Sequence, residues 1–196
     1  LRWPKGCKAL QPGIPKPLNF VSSSPPQLRN VLNDKMILDG LNWTSDTFKN
    51  QAYNIMAGRM DLLRQHVVYK SAAILQIIKQ AGPNSRFYLI GDNAESDAFI
   101  YLGVSLFVAG KLSVEGFKKY LESGGVDADS AEKIATNFES MPKVTVCGIF
   151  IRRIPKYQLA EIQPIINCVT FFNNYFELAL GFIANGVMSP ESLWPI

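Results

Sequence analysis

The chain has 196 residues, 47% of them hydrophobic and 18% charged, with a formal net charge of +4. That balance excludes a disordered tail and leaves room for one α/β domain with a helical addition. The basic excess is mild, and no Lys/Arg stripe is interleaved with aromatics, so nucleic acid is not an expected partner, whereas an anionic ligand is helped to approach.

Residues 1–17 are rich in Pro, Gly and Lys and read as irregular structure. The chain starts with Leu1 rather than methionine, and Leu1 is therefore not expected to be the biological start. Leu18–Val21 is a short strand candidate, stopped by the turn chemistry of Ser22-Ser23-Ser24-Pro25-Pro26, and a helix is expected from Gln27 to about Asn33. Thr44-Ser45-Asp46 reads as the cap of a second helix running through Phe48, Ile55, Met56, Leu62 and Leu63. Val67-Val68-Tyr69 is a short apolar stretch. A third helix is expected over Ser71–Gln80, ended by Gly82-Pro83.

Phe87–Ile90 and Val144–Ile151 are near-continuous apolar runs, as in strands covered on both faces. Strands alternating with helices predict a parallel sheet with right-handed crossovers. Between them, Ser113 and either Asp127 or Asp129 cap two helices, so an inserted helical hairpin is expected at about 104–142. Leu159 to about Val187 reads as a last helical region, broken near Pro164. Asn173, Asn174 and Glu177 interrupt its apolar surface, which argues against a membrane span. A packing helix is the plain reading, and a partner or membrane-surface contact the less common one.

Cys7, Cys147 and Cys168 lie far apart and His66 is the sole histidine. A Cys/His zinc site is excluded in practice. No Gly-x-Ser-x-Gly elbow supports a serine hydrolase built on His66. Cys147, inside an apolar run, reads as a small core residue. The odd cysteine count favours a reducing, cytoplasmic setting.

Three places carry chemistry. Asp92 and Asp97 follow the Phe87–Ile90 strand directly. Two carboxylates joined by a short loop at the carboxyl edge of a sheet, with room for waters, suit Mg²⁺. Gly91 lets the chain turn as it leaves the strand. Ser22, with the N–H groups that follow it, offers phosphate-binding donors at the end of another strand. Lys70 stands at the expected start of the Ser71–Gln80 helix, where a cation is unfavourable unless an anion binds there. Its replacement by Met is accordingly expected to leave stability unchanged or higher. Taken singly, each has a plainer reading: a turn at Asp92 with a cap at Asp97, a Ser-Pro turn at Ser22, a solvated lysine at Lys70.

Their order resembles the later three motifs of the haloacid dehalogenase superfamily. Phe20-Val-Ser-Ser-Ser-Pro-Pro-Gln-Leu28 is similar to the serine motif of lipin-like and actin-patch-type phosphatidate phosphatases. Phe87-Tyr-Leu-Ile-Gly-Asp-Asn-Ala-Glu-Ser-Asp97 with Ile100-Tyr101 resembles their Gly-Asp motif, and Phe150-Ile-Arg152 the end of their last core strand. The resemblance covers roughly residues 18–153, and the helical hairpin is longer than is usual there. It implies a three-layer, Rossmann-like α/β fold over 1–153, with a helical extension over 154–196. It also implies a Mg²⁺-dependent phosphatase working through an aspartyl-phosphate. Ser22 and Ser23 would bind the phosphoryl group, Lys70 would neutralise it, and Asp92 and Asp97 would serve the metal. The four side chains are expected to converge on one crevice. The substrate would be a phosphorylated compound: phosphatidate, a phosphoprotein or a small phosphomonoester.

The superfamily's first motif, a strand ending in Asp-x-Asp ahead of the serine, has no counterpart here, since no Asp or Glu precedes Asp34. Asp127-Ala-Asp129 is the one Asp-x-Asp, and it reads as a helix cap. The favoured expectation is that the nucleophile lies outside these residues. The alternatives are an inactive phosphate- or phospholipid-binding module on the same fold, and an interaction protein working through its C-terminal helix.

Overall fold

The computed structural model describes residues 17–24, 26–48, 59–157 and 169–193. The chain divides into two units, residues Leu1–Asn50 with Phe171–Ile196, and residues Gln51–Thr170. Strands within them pair in parallel, so the α/β class with parallel strands stands.

The first unit contains a β–α–β run. Strand β1 (Asn19–Ser22) pairs with β2 (Ser45–Phe48) in the register Asn19↔Ser45 to Ser22↔Phe48. Helix α1 (Arg29–Leu38) connects them after a 3-10 turn at Pro26–Leu28, and it runs five residues past its expected end near Asn33. Gly40, at φ 67°, supplies the left-handed residue that closes it, and the Leu41 N–H reaches back 2.9 Å to the Met36 carbonyl.

Strand β2 replaces the helix expected from Thr44. The Thr44 N–H is bound to the Leu18 carbonyl at 2.7 Å and the Ser45 hydroxyl to Asn19 Oδ1 at 2.7 Å. Asp46 pairs with Arg29 at 3.3 Å instead of capping anything, and the Arg29 guanidinium sits 5.1 Å from the Phe48 ring centre. Cross-strand partners have overridden a local cap signal. Ile55 and Met56 lie outside the described residues.

The described part of the expected C-terminal helix is likewise divided. Val169–Phe172 is a strand, β5, which spans the boundary between the units, and α6 occupies Tyr175–Ala184. The β-branched and aromatic run Val-Thr-Phe-Phe suits a strand. Asn174 then caps α6 by accepting from the Glu177 N–H at 3.0 Å, while Glu177 accepts from the Asn173 N–H at 2.8 Å. The expected break at Pro164 falls outside the described residues.

The second unit is built on β3 (Arg86–Asp92) and β4 (Thr145–Arg152), paired in parallel from Arg86↔Thr145 to Asp92↔Arg152. The register slips between Phe87 and Tyr88, which face Val146 and Gly148 and so pass over Cys147. Cys147 is therefore a half-buried bulge residue, not a core one, and its sulfur accepts from Arg86 Nε at 3.2 Å. Helix α3 (Asp97–Val108) packs on both strands, and α2 (Arg59–Ala81) packs on α3.

The expected helical hairpin forms as α4 (Val114–Ser123) and α5 (Ala128–Asn137). Ser113 caps α4 by accepting from the Gly116 N–H at 3.1 Å, and Asp127 caps α5 by accepting from the Ser130 N–H at 2.9 Å. Stacked rings anchor the hairpin to α3: Phe107 on Phe117 and Phe99 on Tyr120, each pair with centres 4.3 Å apart. Among the described residues no helix is long and apolar enough to cross a membrane.

Candidate active site

Helix α2 begins at Arg59, so Lys70 lies in its middle and not at a helix start. The Val67-Val68-Tyr69 stretch belongs to the same helix as Ser71–Gln80. Along it, Val67, Ser71, Ile74, Leu75 and Ile78 are buried at helical spacing, and Lys70 falls on this inward stripe, 6% exposed. The dipole mismatch inferred from the sequence is thus absent. A different cause holds the charge.

That cause is a pair of carboxylates. Lys70 Nζ donates to Asp97 Oδ1 at 2.6 Å and to Glu95 Oε2 at 2.5 Å. Burial by itself would lower the Lys70 pKa, but the charge and hydrogen bond of Asp97, then those of Glu95, carry it above the ordinary lysine value. Asp97, 5% exposed, begins α3. Its burial pushes the carboxyl upward, with Lys70 pulling against that. A buried charge of this kind is tolerated only with its partners in place.

Asp92 ends β3, opposite Arg152 at the end of β4, and so stands at the carboxyl edge of the parallel pair. Its backbone N–H donates to Asp97 Oδ2 at 3.3 Å, and its Oδ1 accepts from the Ala94 N–H at 2.9 Å. Gly91 is the last-but-one residue of β3 rather than a turn. What it provides is proximity: a Cβ there would lie 2.8 Å from Asp97 Cβ, so a side chain at 91 would displace Asp97.

Three further residues of this region, quoted within the Gly-Asp motif but given no role by the sequence reasoning, take part. Glu95 holds Lys70 and lies 3.5 Å from His66 Nδ1, one helical turn before Lys70 on α2. Tyr101 donates to the Ile90 carbonyl at 3.1 Å. Burial first, then the carboxylates of Asp97, Asp92 and Glu95, push its phenol well above the usual range, so it remains a neutral donor. Asn93 ties this loop to the segment after β4: its side chain donates to the Tyr157 carbonyl at 2.8 Å and accepts from the Ile154 N–H at 2.6 Å. The readable signal for Lys70 and Glu95 was a lysine on a mostly apolar helical stripe, which calls for an acidic partner elsewhere.

The structure therefore brings Lys70, Asp97, Glu95 and Asp92 together within the second unit. Ser22 and Ser23 belong to the first unit, at the end of β1 and just after it. There the Ser22 Oγ accepts from the Ser24 N–H at 3.1 Å, a local turn that leaves the serine at the carboxyl end of its strand. Asp127 and Asp129 serve α5, the first as its cap and the second paired with Lys133 at 2.6 Å.

Chemically, the cluster presents an ammonium fixed by Asp97, which also binds the backbone N–H of the edge residue Asp92, and such a fixed charge is suited to neutralising a phosphoryl group. For a divalent ion, the available oxygen is on Asp92. Both Asp97 oxygens are engaged, and among the described residues no group of three Asp, Glu, His or Cys side chains is arranged for a metal.

No curated protein and no solved structure matches the chain. The family model described as "Phosphatidate phosphatase APP1, catalytic domain" matches residues 5–111, more than half of the chain and including Ser22, Lys70, Asp92 and Asp97. The chain belongs to the APP1 phosphatidate phosphatase catalytic-domain family, a family of phosphatases.

Proposed function

We propose that this protein is a Mg²⁺-dependent hydrolase of phosphatidate, with a haloacid-dehalogenase-like site. The single observation that carries the reading is Lys70, buried and clamped between Glu95 and Asp97, the latter also bound to the backbone of Asp92 at the strand end, in a chain of a phosphatidate phosphatase family. Lys70 offsets the charge of the phosphoryl group. Ser22, with the N–H groups around Ser23, offers a phosphate-binding element at the end of β1. Asp92 would hold Mg²⁺ through its open oxygen, the remaining positions going to water and phosphate oxygens, as this ion prefers. When bound, the ion supplies Lewis-acid polarisation of the phosphoryl oxygens. Asp97 acts at one remove, fixing Lys70 with its Oδ1 and the Asp92 backbone with its Oδ2.

The covalent step requires a carboxylate oxygen to attack phosphorus while the phosphorus–oxygen bond to the glyceride breaks and the leaving alkoxide takes a proton. Water then cleaves the acyl phosphate to give inorganic phosphate. The attacking carboxylate and proton donor are proposed to lie outside residues 1–196. The rival reading, a non-catalytic phosphate-binding module, is favoured by one observation, the absence of Asp and Glu from residues 1–33.

Phosphate release from phosphatidate by the full-length protein, measured across a Mg²⁺ titration, separates the two. Release that requires Mg²⁺ and disappears in Asp92→Asn is the expected result. Phosphate binding without release would replace the enzyme by the module, and release indifferent to a chelator would remove the metal.

A further inference from the structure

We propose that Asn93 is a positioning residue, which aims the Asp92 carboxylate by tying its loop to a rigid turn after β4. Strand β3 ends at Asp92, and residues 93–96, between it and α3, form neither helix nor strand. A carboxylate in such a place is only as fixed as the ties of its loop. From one side Asp97 Oδ2 accepts from the Asp92 N–H. From the other, the Asn93 N–H donates to the Arg152 carbonyl at 3.1 Å and carries the β3–β4 ladder one bond past Asp92↔Arg152. The Asn93 side chain reaches further. Its Oδ1 accepts from the Ile154 N–H at 2.6 Å, and its Nδ2 donates to the Tyr157 carbonyl at 2.8 Å and the Ile154 carbonyl at 3.4 Å. These partners fix the orientation of the amide. Turned over, it would set its oxygen against two carbonyls and its amino group against an N–H.

The anchor is itself preorganised. Ile154-Pro155-Lys156-Tyr157 is a turn closed by the Tyr157 N–H on the Ile154 carbonyl at 3.0 Å. Pro155 stands at its second position, where the ring already holds the backbone angle that the turn needs. Asn93 thus binds the first and last residues of a stiff turn with one side chain. Asp92 Oδ1 is engaged by the Ala94 N–H at 2.9 Å, so the direction of its other oxygen follows the path of residues 92–94, and Asn93 lies in the middle of that path. Lys70 is held differently, since its bond to Asp97 Oδ1 belongs to α2 and α3 and does not pass through Asn93. Loss of the Asn93 side chain should therefore loosen Asp92 and spare the ammonium.

This inference rests on the reading of Asp92 as the Mg²⁺ ligand, and the experiment separates the two. Mg²⁺ binding to the full-length protein is followed by titration calorimetry and by the rise of Tm with Mg²⁺, beside phosphate release across a Mg²⁺ titration. In Asn93→Ala the dissociation constant and the half-saturating Mg²⁺ concentration should rise together by about 10–100-fold, as when a group that orients a metal ligand is removed. Turnover at saturating Mg²⁺ should return close to the wild-type value, because excess Mg²⁺ selects the aimed orientation of Asp92 and Lys70 is undisturbed. A purely structural Asn93 would instead lower the Tm measured without Mg²⁺ and leave the Mg²⁺ constant as it was, and that result would overturn the proposal. Asn93→Leu, with the same branched outline and no hydrogen bonds, carries the test if the alanine variant loses its fold. Wild type and both variants binding Mg²⁺ equally would remove the role of Asn93 and keep the metal reading. A wild type that binds no Mg²⁺ would remove both.

Discussion

Helix α3 buries eight of its twelve residues, whereas α1 buries none of its ten. Both contain aliphatic residues at helical spacing, so pattern alone does not separate them. The difference lies in what each finds around it. Helix α3 is packed on β3, β4, α2 and α4, and its apolar residues almost encircle it. Helix α1 joins two short parallel strands whose residues are all half-buried. One helix is a structural centre that carries a site residue, Asp97, at its first position. The other is a connector with apolar surface to spare, Val31 being 64% and Leu38 87% exposed.

The sharpest way to break this comparison is Lys70→Met. The sequence suggested an unchanged or improved stability, on the premise of a lysine at a helix start. With Lys70 in mid-helix and clamped by two acids, its loss leaves Asp97 buried without a counter-charge, and breaking such a pair costs about 3–5 kcal/mol. In the full-length enzyme kcat should also fall by about 10²–10³. Urea denaturation and phosphate release measure the two effects. A variant as stable as wild type would show that Lys70 is not held as described.

Next in size is a direct contrast of the two units. Phe117 is fully buried and stacked on Phe107, so Phe117→Ala should cost about 3–5 kcal/mol. Val31→Ala on α1 should fall within about 0.5 kcal/mol of wild type. Parallel denaturant melts compare them. A cost above about 1 kcal/mol at Val31 would mean that α1 is covered.

A smaller effect appears at high pH. The Lys70 pKa is raised in the folded protein, so its stabilising contribution is fully present below the ordinary lysine value of 10.5. It is then lost as pH rises through the higher folded value. The Tm of the wild type should hold up to that region and then decline. Part of this alkaline decline should be missing in Lys70→Met. Superimposable alkaline limbs, after allowing for the lower starting Tm of the variant, would argue that Lys70 titrates as a free lysine.

How far the sequence alone reached follows the same division. Strands β3 and β4 and the capped hairpin were legible because their signals are local: apolar runs, and Ser113 and Asp127 at caps. So was the proximity of Asp92 to Asp97, which the four residues between them nearly dictate. Strand β2 was misread because Thr44-Ser45-Asp46 is a good cap by itself, and only β1 and Arg29, distant in sequence, give those residues other partners. Strand β5 was misread because an apolar run followed by a helix resembles one long helix. At Lys70 the residue was right and the reason wrong. Treating Val67–Tyr69 as a separate stretch concealed the helical phase that turns the lysine inward, and with it the need for Glu95.

The smallest predicted effect tests the one Asp-x-Asp in the chain. Asp127 accepts from the Ser130 N–H at the start of α5, and Asp129 pairs with Lys133 one turn later. Both therefore serve the hairpin, one as its cap and the other in an i,i+4 ion pair. Removing the cap in Asp127→Ala should cost about 1 kcal/mol, the ordinary value for such a cap. The Ser130 N–H holds the Asp127 pKa below the ordinary carboxylate value, so its contribution is present above that value and is lost as pH falls through the lowered one. The gap in Tm between wild type and Asp127→Ala should therefore be open at neutral pH and close in acid. Mg²⁺-dependent phosphate release by the full-length protein should be untouched in both Asp127→Ala and Asp129→Ala. Abolition of release by either substitution, with the fold intact, would move the nucleophile into the hairpin and overturn the cap assignment. A modest stability loss with full activity would leave the hairpin as structure and keep the chemistry at the edge of β3.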